Sequence, residues 1–179
     1  MYSDDFTRQS FWVGAFESGH CAALLAFRSI NLASPSSFKD SWFQFIPEES
    51  LLDALADKPR RGFIINNATV DFPYRGGDLL YALIIAGSAM ALRIGFDRML
   101  SLTNDSRGVD KLCRAVDGVE VRKYIPVYNV GATFFKFSPD AVRSAILRAP
   151  SSILNQVKEA RILIGEEKVS YGDNEEAIA

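Results

Sequence analysis

Fourteen consecutive residues, Leu79 to Leu92, carry no charge, and the run ends at Arg93. A bilayer needs about 20 apolar residues in a helix, so this stretch is too short to cross one. It is a helix apolar on most faces, and such a helix must lie buried against a sheet. The segment before it supplies the strand: Gly62 to Phe72 is rich in Phe63, Ile64, Ile65, Val70 and Phe72. Between the two stands Asp71-Phe72-Pro73-Tyr74-Arg75-Gly76-Gly77-Asp78. This reads as a tight glycine turn, with Asp78 as the helix N-cap and Gly95 as its stop. A strand, a glycine turn and a helix start aim backbone N–H groups and the positive helix end at one point, the geometry that cradles a phosphate. An aspartate cap competes for those same N–H groups.

The remaining signals extend the pattern on both sides. Phe11 to Glu17 and Cys21 to Ile30 are β-rich runs joined by Ser18-Gly19-His20, a hairpin. Asn31 to Pro59 is an irregular connection with the aromatics Trp42, Phe43 and Phe45 and one helix, Glu48 to Ala56, opened by Pro47. Arg98 to Thr103 is a short strand, Val109 to Val116 a helix ended by Gly118, and Val119 to Val130 and Ala132 to Phe137 two strands broken around Gly131. Ser138-Pro139 opens a helix through Leu147, and Ser151 or Ser152 opens another through Ile164. The acidic tail, Gly172 to Ala179, is expected to fray. The expectation is a single α/β (α+β) domain over 1–179: a mixed, mostly antiparallel central sheet flanked by helices, with its core at 11–137 and a C-terminal helical extension at 138–168.

Charge and residue counts narrow the function. A net charge of -2 with pI near 5.5 argues against nucleic-acid binding, which calls for a basic stripe. One histidine and two distant cysteines make a metal site improbable, and no metal is expected. The acidic opening Ser3, Asp4, Asp5 lacks the basic start of a signal peptide. With Cys21 and Cys113 far apart, the expected setting is reducing and cytoplasmic.

From Phe11 to Phe137, and most strongly from Gly62 to Lys123, the chain resembles the GNAT superfamily of N-acetyltransferases. The residues that carry the likeness are the strand and turn Val70 to Gly77, the strand Leu100 to Asn104 ending in asparagine, and the helix Val109 to Val116 leading to Asp117-Gly118-Val119. Where the family has a further glycine and then a small residue, Asp78 and Leu80 stand instead. The start lacks the family's opening helices, so the N-terminus is short. In this respect, and from Tyr81 to Asn104, it is similar to the autoinducer synthases, the acyl-homoserine lactone and N-acyl amino acid synthase branch.

The resemblance implies an N-acyltransferase. It would move an acetyl or longer acyl group from acetyl-CoA, another acyl-CoA or acyl carrier protein to a small amine or amino-acid acceptor. Val70, Arg75, Gly76, Gly77, Asp78, Leu79 and Asn104 would hold the donor. Such a reaction needs a base, oxyanion donors and an acid. Asp71, on the strand just before the turn, is the best-placed carboxylate for the base, pointing either into the cleft or to solvent. Backbone N–H groups around Asn67 to Val70 would meet the thioester carbonyl. Cys113 falls at the family's tyrosine acid, the alternative being a buried structural cysteine. Tyr124 and Tyr128 are further acids or plain sheet tyrosines. Trp42, Phe43 and Phe45 line an acyl pocket or form a satellite core, while Lys58, Arg60 and Arg61 meet phosphates or are a solvated loop. A non-catalytic binding or dimerisation module of the same fold is the competing expectation, and a homodimer would suit the missing helices.

Overall fold

A computed structural model describes residues 9–159 and 161–163. β1 (Phe11–Glu17) and β2 (His20–Asn31) form the expected hairpin around Ser18 and Gly19, both at positive φ. Short 3-10 turns at Pro35–Lys39 and Ser41–Phe45 lead to α1 (Glu48–Ala54) and then β3 (Arg61–Val70). α2 (Leu79–Ile94) returns the chain to β4 (Arg98–Asn104), which lies parallel to β3, because a parallel pair requires a crossover. α3 (Val109–Ala115), β5 (Val119–Val127), β6 (Val130–Phe137), α4 (Pro139–Arg148), α5 (Ser151–Glu159) and β7 (Arg161–Leu163) complete it. The sheet has seven strands in the order β5-β6-β4-β3-β2-β1-β7, and every neighbouring pair except β3–β4 is antiparallel.

Strand alternation divides the core between two faces. Leu25, Phe27, Phe63, Met99, Phe135 and Phe137 meet α2, α4 and α5 on one side. Ile64, Leu100, Ile125 and Phe134 meet Leu32, Phe43, Ile46 and Ala54 of the connection on the other. The uncharged run is the buried helix expected of it, with eight buried residues. No helix among the described residues is long and apolar enough to cross a membrane.

Several boundaries differ from the sequence reading, and three of them have a clear physical reason. β3 ends at Val70, because Pro73 cannot donate to a ladder and Phe72–Tyr74 turns instead as a 3-10 helix. The β5–β6 turn falls at Tyr128-Asn129, with Tyr128 at φ 53, and Gly131 lies inside β6. The last helix stops at Glu159, and Arg161–Leu163 pairs antiparallel with Trp12–Gly14 of β1, covering that edge. Ile164, the rest of the expected extension to 168 and the tail Gly172 to Ala179 lie outside the described residues, as do Ser3, Asp4 and Asp5.

Candidate functional site

β3 and β4 run together only from Gly62 opposite Arg98 to Ile65 opposite Ser101. Beyond that point β3 stays with β2 and β4 stays with β6, so the sheet opens. A bulge in β3 accompanies the opening: Asn66 faces Ala26 and Thr69 faces Leu24, which leaves three steps on β3 against two on β2. Asn67 takes φ 48, a left-handed value that asparagine tolerates, and its N–H meets the Oδ1 of Asn66 at 3.0 Å. Asn67 and Ala68 thus have no register partner on β2 or β4.

A cavity lies on each side of this gap. On the α2 and α3 side, about 210 Å³ is lined by Ile65, Leu80, Ile84, Ser101, Asn104, Arg107, Val109 and Cys113. On the side of the 3-10 turns, about 230 Å³ is lined by Arg28, Asp40, Ser41, Trp42, Gln44, Phe45, Val127 and Tyr128. Asn66, Asn67 and Leu102 line both. Asn66 and Asn67 at the bulge, with Leu102 of β4, are thus a wall shared by the two spaces.

The glycine turn adjoins the first cavity through Leu80. Its outer side is tied down: Asp71 accepts from Phe72 N–H at 2.8 Å and meets His20 Nε2 at 2.9 Å, Tyr74 bonds to Glu17, and Arg75 Nε donates to the Val70 carbonyl at 3.0 Å. Gly76 turns the chain at φ 86. The expected competition from Asp78 does not occur, since its side chain makes no capping bond. The first helical bond runs from Ala82 N–H to the Asp78 carbonyl, so the N–H groups from Gly76 to Tyr81 have no acceptor among the described residues. Six free donors at the start of a 16-residue helix favour an anion there.

The candidate catalytic side chains are dispersed. The hydrogen bond from His20, then the Phe72 N–H, hold the Asp71 carboxyl below the usual carboxylate range, and it lines neither cavity. Tyr124 is 79% exposed at φ 56, in an irregular stretch of β5, and also lines neither. Tyr128 lines the second cavity, its ring 5.1 Å from that of Phe45. Cys113 lines the first cavity, but burial pushes its thiol up to about 12, only partly offset by the Ser101 hydroxyl. Such a thiol keeps its proton, since a departing thiolate has a conjugate-acid pKa of about 8.5. It can donate a hydrogen bond but not act as the acid. Asn104 accepts from Ser106 N–H at 2.9 Å, capping the 3-10 turn Asp105–Arg107, while lining the same cavity. Trp42 and Phe45 line the second cavity, whereas Phe43 belongs to the core. Arg60 and Arg61 stand at the opposite end of β3, lining a separate open cleft of about 760 Å³ with Asp97, so they do not reach the turn. Among the described residues no cluster of three metal-binding side chains occurs.

Sequence reasoning missed Arg28, Asp40 and Arg107. Their only signals were a charge within the apolar β2 run and two polar residues beside turns. The Asn66-Asn67 pair was a usable signal, because asparagine is poor in strand interiors and tolerant of left-handed backbone.

No family model matches the sequence, and no curated protein does. Solved structures do match. The chain has the GNAT fold, the acyl-CoA N-acyltransferase fold, with a mixed sheet flanked by helices. One match is the CoA-dependent acyl-homoserine lactone synthase BjaI, at 11% identity and TM-score 0.53 over 86% of this chain and 76% of that one. FeeM, an N-acyl amino acid synthase from uncultured soil microbes, matches at 11% and 0.53, over 75% of each chain. Arylalkylamine N-acetyltransferase 2 from Aedes aegypti matches at 16% and 0.53, over 72% and 73%. At these identities the likeness is one of fold.

Proposed function

We propose that the protein is an N-acyltransferase that moves an acyl group from coenzyme A to an amine. The observation that carries this is the bulged gap between β3 and β4, with a cavity on each face and Asn66, Asn67 and Leu102 lining both. The pyrophosphate of the donor meets the free N–H groups from Gly76 to Tyr81, with Val70 and Arg75 behind the turn. The acyl-bearing arm, an alternation of amides and methylenes, runs past Leu80, Ile84 and Asn104, whose apolar and amide surfaces match it. Arg107 has no carboxylate partner among the described residues and adds a positive charge at that cavity.

The thioester carbonyl then lies at the bulge, where the N–H of Ala68 polarises it and stabilises the oxyanion. The amine enters from the second cavity and attacks. The C–N bond forms, the C–S bond breaks, the amine proton passes to water, and the thiolate leaves with a hydrogen bond from Cys113. The bound thiolate takes its proton from solvent. BjaI, a CoA-dependent acyl-homoserine lactone synthase, and FeeM, an N-acyl amino acid synthase, support acyl transfer, and BjaI supports coenzyme A as the carrier.

Titration calorimetry with acetyl- and octanoyl-CoA, paired with thiol-release measurements, tests the reading. Heat of binding with at least one donor is expected. No heat with any acyl-CoA and none with acylated carrier protein would refute it. A binding module of this fold is the second reading, favoured by the lack of an acidic thiol at Cys113. It predicts donor binding with no thiol release for any acceptor.

A further inference from the structure

We infer that the second cavity takes an acceptor bearing a carboxylate, an amino acid with an uncharged side chain, and that Arg28 recognises that carboxylate. The inference deepens the acyl-transfer reading and rests on it for the acceptor's role. Arg28 stands on β2 with its side chain only 9% exposed. Its two terminal nitrogens meet the two carboxylate oxygens of Asp40, each at 3.0 Å. Asp40 Oδ1 also accepts from Trp42 N–H at 2.8 Å. A guanidinium has five N–H donors, and this fork uses two. The others have no acceptor among the described residues, and the residue lines the cavity. A buried cation with donors left over selects a planar anion, which it can meet in the same forked way.

Charge balance points the same way. Among the described residues Arg28 and Asp40 are the only charged ones lining this space, and their charges are opposite. A zwitterion preserves neutrality when it enters. A cationic amine without a carboxylate would bring an uncompensated charge, because Asp40 is already held by Arg28 and the Trp42 N–H. The other walls are the rings of Trp42, Phe45 and Tyr128 and the amides of Gln44 and Asn66, which suit an aromatic or amide side chain.

The test compares phenylalanine, phenylalaninamide and phenethylamine as acceptors by thiol release. It also compares N-acetylphenylalanine with N-acetylphenethylamine by calorimetry, which needs no turnover. The carboxylate compounds are expected to be preferred by roughly 10- to 100-fold, the range for one hydrogen bond to a charged group. Arg28→Gln with Asp40→Asn removes both charges and leaves neither buried alone, so it should abolish the preference while the circular dichroism spectrum is kept. Should that variant unfold, the wild-type preference alone decides. Equal or better use of phenethylamine overturns the inference while acyl transfer stands. Preferential binding of N-acetylphenylalanine without thiol release for any acceptor supports the carboxylate site and refutes acyl transfer. Failure of both N-acetyl compounds to bind overturns the inference.

Discussion

Replacing Gly87 by alanine should destabilise the protein, although alanine is the better helix former. Gly87 faces Phe27 across the contact between α2 and the sheet. A Cβ built there would lie 2.1 Å from one ring carbon and 2.4 Å from another, where ordinary contact begins at 3.4 Å. The ring cannot yield. Phe27 is fully buried and stacked on Phe11 at 4.9 Å, and Phe11 in turn meets Phe63 at 5.6 Å. Overpacking of this kind costs about 1–3 kcal/mol, and here the upper part of that range applies. The gain in helix propensity returns about 1 kcal/mol. The net loss is about 1–2 kcal/mol, which for a chain of this size lowers Tm by roughly 2–8 °C. Urea unfolding followed by fluorescence of Trp12 and Trp42 measures it. Phe27→Leu shortens the obstructing ring, so the double variant should show a favourable coupling of about 1 kcal/mol. A Gly87→Ala protein as stable as the wild type, or strictly additive effects, would refute the reasoning.

Further expectations concern the site and its supports. Asn67→Val forces a β-branched residue into φ 48 and should cost roughly 1–2 kcal/mol, with a loss of thiol release exceeding the loss of folded protein. Recovery by Asn67→Gly would confirm that the backbone value is what matters. The Arg61 and Arg60 N–H groups, at 2.8 and 2.9 Å, hold the Asp97 carboxyl below the usual carboxylate range. Its stabilising effect is therefore present above the unfolded value of 3.8 and disappears as pH falls through the lower folded value. Unfolding curves of wild type and Asp97→Asn should differ at pH 6 and converge near the acid end, and a gap independent of pH would contradict this. Iodoacetamide at pH 8 should label half-buried Cys21 and spare buried Cys113, as read by peptide mass spectrometry. Rapid labelling of Cys113 in folded protein would show that its thiol is not held near 12.

Much of the architecture was legible along the chain because the signals are local. The uncharged run from Leu79 had to be a buried helix, Gly95 ended it, and Ser138-Pro139 opened α4 as a capped helix with Ser138 Oγ accepting from Ala141 N–H. The hairpin at Ser18-Gly19 followed from turn chemistry and the mixed sheet from element order, whereas which pair runs parallel, β3 with β4, came from the structure. The strand Arg161–Leu163 was not legible, because three residues carry no periodicity and only the exposed edge of β1 gives them a partner.

The candidate site divides along the same line. Arg75-Gly76-Gly77 marked the turn in sequence, since glycine alone enters φ 86 without strain. That Asp78 would leave the helix N–H groups uncapped depended on how its side chain stood, which composition does not encode. The family likeness put Asn104 at the end of a strand and Cys113 at the tyrosine position, but the height of the Cys113 thiol came from burial. The gap between β3 and β4, the bulge at Asn67 and the pairing of Arg28 with Asp40 arose only in the tertiary structure. Each joins segments that are distant in sequence, and register between strands is a property of the pair rather than of either strand. Local physics thus determined the turn and the helices, while packing between distant segments decided where the sheet opens and which charges face the opening.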